Sequence, residues 1–512
     1  MATQQHGVIG ATHTRIAIVG SGFSGMGMGI KLKEANEHDF RIFEKESGVG
    51  GTWRVNHYPG CACDVQSHVY SYSFEQNPDW TRMFAPQQEI KGYLEHCADK
   101  YGIRPHVHLN TALKSARWDE AKKIWRVQDE SGKEYTCDIL ISGMGGLSIP
   151  AYPDIKGRDR FQGKTFHSQD WDHDYDLKGK RVAVIGTGAS AIQFVPEVQK
   201  EASQLHLFQR SAPWIMPKPD RPLSNLERAA FKRIPGAMKL QRTALYWMLE
   251  SRVIPMLLSP KMLKVARIMA KTHIRRQIKD PVLREKVTPD YEFGCKRILL
   301  SNNYYPALAQ PNVEVVTDGI QEITETGIVT ADGTHREVDV LIYGTGFKAA
   351  DPVPEGLVHG RDGQDLAKLW HDGPEAYKGC AVAGFPNFFM IMGPNTGLGH
   401  NSMVYMIESH IQYVLDAVKT MKKDQVQTVE VKQDAQDRYN EKLQDKLGGS
   451  IWTDGGCTSW YLHPRTGKNV ALWPGFTWQF RLQTQRFDTS AYELEKAGGK
   501  APTTITNQEQ LA

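Results

Sequence analysis

Arg15-Ile-Ala-Ile-Val-Gly20-Ser-Gly22-Phe23-Ser24-Gly25 is the stretch that decides the fold. A short apolar run stops on glycine, and the glycines that follow have the spacing GxGxxG. From Phe23 to about Glu34 the sequence has helical character, and Arg41–Glu44 reads as a second strand. Strand, glycine turn, helix and strand within about 30 residues make a βαβ unit. Gly20 allows the tight turn, Gly22 lets the backbone approach a pyrophosphate, and Gly25 lets helix and strand pack closely. Phe23 and Ser24 open the helix, whose free N–H groups and positive dipole end suit phosphate. Glu44 stands 24 residues beyond Gly20, where a carboxylate binds ribose hydroxyls. A lone GxGxxG also marks ordinary turns in other α/β folds. The flanking strand and helix and the placed carboxylate favour a dinucleotide site.

The same grammar recurs 166 residues later. Arg181–Gly186 is a strand ending on glycine, Gly186-Thr187-Gly188-Ala189-Ser190-Ala191 is a second glycine loop, Ala189–Gln199 reads as a helix, and Gln204–Gln209 is the next strand. That separation is too long for consecutive strands of one sheet, so two nucleotide-binding domains are expected. Alanine replaces the third glycine, which spaces helix from strand slightly. The counterpart of Glu44 is Arg210, 24 residues beyond Gly186. A carboxylate there would repel a 2′-phosphate, whereas arginine pairs with it through forked, charge-assisted hydrogen bonds. Ser211 adds a hydroxyl donor. The first site therefore reads as FAD or NAD, and the second as NADPH. The bland alternative for Arg210 is a solvated surface arginine.

The rest of the chain bounds the possibilities. Its 512 residues suggest two to four domains. Seven cysteines, sparse and odd in number, argue against a disulfide-stapled secreted protein and for a reducing compartment. The start lacks a basic segment followed by an apolar core, and no run of 18 uncharged apolar residues exists, so a soluble, cytoplasmic protein is expected. A net charge of +4 gives no reason to expect nucleic acid as a partner. The balance is uneven, however. Residues 221–286 carry sixteen basic and four acidic side chains within long helical patterns such as Met256–Ala270. They read as a helical insertion, either a cap with a solvated basic face or a weak membrane-surface patch. Two dinucleotide sites point to electron transfer from NADPH to a flavin. A disulfide reductase would need a CxxC or CxxxxC pair, and Cys61-Ala-Cys63 has the wrong spacing for a relaxed disulfide.

Between the two units lies Phe161-Gln-Gly163-Lys-Thr-Phe-His167-Ser-Gln-Asp-Trp171-Asp172. This stretch resembles the FxGxxxHxxxW(P/D) fingerprint of the Baeyer–Villiger monooxygenases at every fixed position. Further stretches resemble the family: Gly50-Gly51-Thr52-Trp53, Tyr58-Pro59-Gly60 and Asp64; Lys296-Arg297 and Tyr304-Tyr305; Asp339 to Phe347; and Phe385 to Asn395. Together they span about residues 15–490. Two departures stand out: Arg54-Val55 where the family has aromatics, and Gly344 where alanine is common.

The resemblance implies an α/β fold of two Rossmann-like dinucleotide-binding domains with a helical insertion. FAD would take residues 1–145 and 386–496, NADPH residues 146–221 and 291–385, the insertion residues 222–290, and a disordered tail residues 497–512. It implies insertion of one oxygen atom from O2 beside a ketone carbonyl, giving an ester or lactone through a peroxide on the flavin C4a. Arg297 would be the fixed cation for that chemistry and Asp64 the carboxylate that orients it. FAD contacts would come from Gly20, Gly22, Phe23, Ser24, Gly25, Glu44, Gly51, Thr52, Trp53, Asp64, Val65, Tyr70, Leu113 and Met403. NADPH contacts would come from Gly186, Thr187, Gly188, Ala189, Ser190, Gln193, Arg210, Ser211, Lys296 and Arg297. His167 and Trp171 would hold the linker between domains rather than touch substrate. No metal is implied. Gly393-Pro-Asn with Gly399-His-Asn-Ser-Met403, and Trp460-Tyr461 with Leu472-Trp-Pro-Gly, look most like members acting on open-chain or medium-sized ketones. Two alternatives remain: a flavin monooxygenase oxidising sulfides or amines, which Trp171-Asp172 disfavours, and a non-enzymatic NADPH sensor, which has no use for the Asp64 and Arg297 pair.

Overall fold

The computed structural model describes residues 12–257, 262–349 and 353–496. The expected tail, 497–512, lies outside them. Of the leader expected to Thr14, residues 12–14 instead begin the first strand, because their backbone pairs with Tyr135–Cys137.

Two α/β cores form, each around one glycine loop, and the first carries an antiparallel meander over residues 113–142. In the first, β1 (Thr12–Val19), α1 (Phe23–Glu34) and β2 (Phe40–Phe43) make the expected unit. After the short helices and strands α2 (Thr52–Val55), α3 (Gln87–Lys100) and β3 (Val107–His108) come β4 (Leu113–Asp119), β5 (Ile124–Asp129) and β6 (Glu134–Ser142). The sheet order is Val358–His359, β4, β5, β6, β1, β2, β3, with Phe388–Met390 also on β6. Central β1 is covered on both faces, and Ile16 and Ile18 are fully buried. Its apolar run is therefore continuous rather than alternating.

The second core contains β7 (Lys164–His167), β8 (Arg181–Ile185), α4 (Ala191–Glu201) and β9 (Gln204–Phe208). Its all-parallel order is Val313–Val316, β9, β8, Val340–Tyr343, β7. Two crossings join the cores side by side: Ala151 N–H donates to Gly346 C=O at 2.9 Å, and Lys348 N–H to Ile149 C=O at 3.0 Å. The chain returns to the first core earlier than the boundary expected at 385, because Val358–His359 already pairs with β4.

The insertion comprises α5 (Asn225–Arg233), α6 (Ala237–Glu250), α7 (Val253–Leu257), α8 (Leu263–Gln277) and α9 (Pro281–Lys286). Its neck is a parallel pair, Ile215–Met216 with Leu299–Leu300. One correction concerns the cysteines. Despite their odd and sparse count, Cys295 and Cys457 form a disulfide, with Cα atoms 6.3 Å apart and the two residues 162 positions apart in sequence. No local spacing announces a pair so distant. The other five are buried free thiols.

Candidate active site

The first glycine loop is built by contacts that only hydrogen side chains permit. Gly20 has φ +92°, and a Cβ on Gly25 would stand 1.8 Å from the Gly20 carbonyl oxygen. Gly22 and Gly51 face one another across a gap, since a Cβ on Gly51 would come 2.8 Å from the Gly22 Cα. Glu44, 4% exposed, accepts from Ser21 N–H at 2.8 Å and Ser21 Oγ at 2.6 Å, and its other oxygen accepts from Glu46 N–H at 3.0 Å. A carboxylate has about four lone-pair sites, so capacity remains for a ribose hydroxyl. Thr52 and Trp53 open α2, and Trp53 Nε1 donates to Tyr70 Oη at 3.2 Å. Leu113, Val19 and Met144 each pack against the same apolar cluster of this core, and Val65 lies against the main core. Met403 starts the helix Met403–Lys423, capped by Ser402, which packs against α1.

The second loop is tight at its first glycine, where a Cβ would stand 2.4 Å from the Gly344 carbonyl oxygen, and open at its middle one. Gly186 has φ +112°, yet a Cβ on Gly188 would meet nothing nearer than 3.9 Å. Gly344, where the family commonly has alanine, faces the alanine that replaces the third glycine of this loop: a Cβ on Gly344 would lie 3.2 Å from that of Ala191. The missing methyl at 344 thus accommodates the extra methyl at 191. Ser211 joins the neighbouring groups, its carbonyl accepting from Thr187 Oγ1 at 3.1 Å and its Oγ from Lys296 Nζ at 3.2 Å. Burial lowers the Lys296 ammonium from its ordinary range, and the nearby Arg210 charge lowers it further. Arg210 itself is exposed. Two cations and a hydroxyl that gather without a carboxylate bonded to them suit a phosphate. Gln193 is anchored by its neighbours: its Oε1 accepts from Tyr58 Oη at 3.0 Å, and its Nε2 donates to Ala62 C=O at 2.9 Å, which leaves one Nε2 hydrogen for a ligand. Ser190 precedes α4 without a side-chain capping bond.

Asp64 and Arg297 meet across the cores. Arg297 Nε and Nη2 both donate to Asp64 Oδ2, at 3.0 and 2.5 Å, with the side chains 34% and 32% exposed. Burial raises the Asp64 carboxyl, but the Arg297 charge and hydrogen bonds outweigh it and hold it below the ordinary carboxylate range. The Asp64 charge in turn raises Arg297 against desolvation. Lys218, on the opposite leg of the insertion neck, adds positive charge toward Asp64, and Tyr461 lies close enough to act on Arg297. Sequence reading gave neither residue a place beside this pair, although Trp460-Tyr461 was among the stretches likened to members acting on open-chain or medium-sized ketones. Tyr461 stands in the aromatic Trp460-Tyr461 pair, a visible signal, whereas Lys218 had none.

The fingerprint divides between sheet and linker. Lys164–His167 is an edge strand of the second sheet, rather than linker throughout. His167 is fully buried, its Nδ1 accepts from Gln169 N–H at 3.1 Å, and its ring meets Tyr152 and Phe347 edge-on. Trp171 packs on Phe166 and Phe194. A Cβ on Gly163 would strike the Asp339 carbonyl and the Phe161 ring. Each grips the paired crossings or the second core.

A family model described as "Flavin-binding monooxygenase-like" matches residues 13–364. A Baeyer-Villiger monooxygenase of Pseudomonas aeruginosa is 61% identical over 94% of this chain and 92% of its own length. The chain belongs to the Baeyer–Villiger monooxygenase family. A second member, from Streptomyces coelicolor, is 46% identical over 94% of this chain and 93% of its own. Among solved structures, a steroid monooxygenase bound to NADP superposes with TM-score 0.83 at 30% identity, covering 95% of this chain and all of that one. The structure of OTEMO in complex with FAD and NADP gives TM-score 0.84 at 28% identity, covering 94% of this chain and all of that one.

Proposed function

We propose that this chain converts a ketone to an ester or lactone, with the stoichiometry ketone + O2 + NADPH + H⁺ giving ester + NADP⁺ + water. Its cofactors are FAD at the first loop and NADPH at the second. The observation that carries the reading is the Arg297–Asp64 pair, formed between the two cofactor cores in a member of this family. When bound, the flavin supplies hydride acceptance and oxygen activation, and the protein supplies position and charge. Arg297 keeps its charge when desolvated and is held by Asp64, so a cation is in place before negative charge develops. Lys218 adds to the same field. Lys296, Arg210 and Ser211 orient the nicotinamide cofactor by its 2′-phosphate. Leu398, Trp452 and Tyr461 share an apolar cluster that excludes water beside Arg297. Such a wall suits open-chain or medium-sized ketones.

Arg297→Ala should leave a yellow, FAD-bound protein that forms no detectable ester from a panel of ketones that the unaltered enzyme turns over. Ester at the unaltered yield would refute the assignment. The same panel extended to sulfides separates the heteroatom-oxidising alternative.

The partner and location belong to the same proposal: a cytoplasmic enzyme whose insertion touches an anionic membrane surface weakly. Among the described residues no helix is long and apolar enough to cross a membrane. Helix α8 is apolar on two sides. Leu263, Ala270 and Ile274 face the core, while Val265 and Ile268 are each 64% exposed and Met269 54%. Lys264, Lys271 and Arg275 flank that outer face. The protein should co-sediment with anionic vesicles, less so in high salt, and Ile268→Glu should weaken it. Equal recovery with neutral vesicles removes this part of the proposal.

A further inference from the structure

The chemistry above leaves unused a buried carboxylate at the end of α6. Glu250 is 1% exposed, and its oxygens accept four hydrogen bonds. Oε1 accepts from Asn401 Nδ2 at 2.6 Å, Thr477 Oγ1 at 2.7 Å and His400 Nε2 at 3.3 Å. Oε2 accepts from Thr477 N–H at 3.0 Å. Burial raises this carboxyl, but the donors from His400, Asn401 and Thr477 outweigh it and keep it below its ordinary range. An unpaired charge at that depth would cost several kcal/mol, so the set of donors and the carboxylate require one another.

Glu250 lies on the insertion, whereas everything it holds lies near the C-terminal end of the chain. It ends a polar seam on one face of α6, with members four residues apart. Arg242 donates to the His68 and Ser71 carbonyls at 2.7 and 3.0 Å, and Tyr246 shares a hydrogen bond with Thr477 and stacks on Tyr405. The insertion interrupts the NADPH core yet is fastened to the FAD core. At the Glu250 end, that fastening reaches the loop leading into the helix Met403–Lys423. Asn401 Oδ1 accepts from Ser402 N–H at 2.7 Å, and Ser402 Oγ accepts from Val404 N–H. In the same loop, Leu398 shares the apolar cluster with Trp452 and Tyr461 beside Arg297. His400 is fully buried, and with Nε2 turned to Glu250 its Nδ1 meets no partner among the described residues.

We propose that Glu250 is a positioning residue for oxygen transfer. Through His400 and Asn401 it sets the wall of the site that the ketone meets, and closes that wall from the insertion. The inference rests on the Baeyer–Villiger reading above. Glu250 bonds with none of Arg210, Ser211 and Lys296, so its effect falls on the oxygen-transferring half of the reaction and not on reduction by NADPH. If the wall is loosened, the same reducing equivalents go to peroxide: NADPH + H⁺ + O2 gives NADP⁺ + H2O2, without ester.

The test compares Glu250→Ala and Glu250→Gln with the unaltered FAD-loaded enzyme by three readings: anaerobic bleaching of the flavin by NADPH, ester per NADPH, and H2O2 per NADPH. Bleaching should stay within about twofold, while ester per NADPH falls about tenfold in the alanine variant and H2O2 accounts for the difference. Glutamine keeps one accepting oxygen and should fall between. Unchanged ester per NADPH in both variants overturns the proposal, as does a parallel fall of bleaching and ester at full FAD content. If the alanine variant loses FAD, Glu250→Gln and Asn401→Ala decide by the same ratio. Absence of ester from the unaltered enzyme would instead defeat the functional reading, and this inference with it.

Discussion

The two glycine loops share a motif and differ in almost everything that surrounds it. The first is tight: a Cβ on Gly25 would stand 1.8 Å from a backbone carbonyl, and Glu44 is buried among backbone donors. The second is as tight at its first glycine, where a Cβ on Gly186 would stand 2.4 Å from the Gly344 carbonyl oxygen, but it carries alanine at its third position, is clear to 3.9 Å at Gly188 and leaves Arg210 exposed. In the proposed assignment, a flavin retained from cycle to cycle benefits from a close cradle whose carboxylate is fixed in advance. A nicotinamide cofactor that is exchanged each cycle needs access and a charge-based grip on one phosphate. The same strand–turn–helix serves both because its N–H groups bind pyrophosphate whatever lies around it.

The contrast breaks most decisively at the glycines. Gly25→Ala should give protein without FAD or no soluble protein, read from the flavin absorbance after purification. Gly188→Ala should fold with thermal stability unchanged in the absence of NADPH, yet raise its KM about tenfold by crowding the pyrophosphate. A flavin-replete Gly25→Ala would remove the claim that the first cradle is tight.

Next in size is the clamp. Arg210→Ala should raise the KM for NADPH about 30-fold, the loss of one charge-assisted pair, while leaving turnover of NADH unaffected. An equal loss for both cofactors would mean that Arg210 does not read the 2′-phosphate.

The smallest effect sharpens the comparison. Gly344→Ala should cost about 1 kcal/mol of stability, because the new methyl meets Ala191, and Ala191→Gly should restore it in the double variant. Additive effects in thermal unfolding would show that the two positions do not share space.

Much of this was legible in sequence because it is local. The strand, turn and helix of each unit depend on residues a few places apart, and the expected helix from Phe23 to Glu34 has those bounds in the fold. The contrast between Glu44 and Arg210, on which the proposed division of the cofactors rests, was also visible in sequence, since βαβ geometry sets how far beyond the glycines that side chain stands. Asp64 and Arg297 were found only through likeness to a family. No periodicity links residues 233 positions apart, and their hydrogen bonds exist only once two cores have packed. Lys218 escaped for the same reason.

The sequence by itself determined two glycine-loop cores, the opposite charge of Glu44 and Arg210 beyond them and a cationic helical insertion, because backbone geometry and charge type act at short range. The tertiary structure alone decided that Cys295 bonds Cys457, that the insertion is fastened to the opposite core through Arg242, Tyr246 and Glu250, and that Gly344 makes room for Ala191. Those are contacts between segments far apart in the chain. Their physical basis is burial, which forces each enclosed charge or methyl to find whatever partner the packing brings to it.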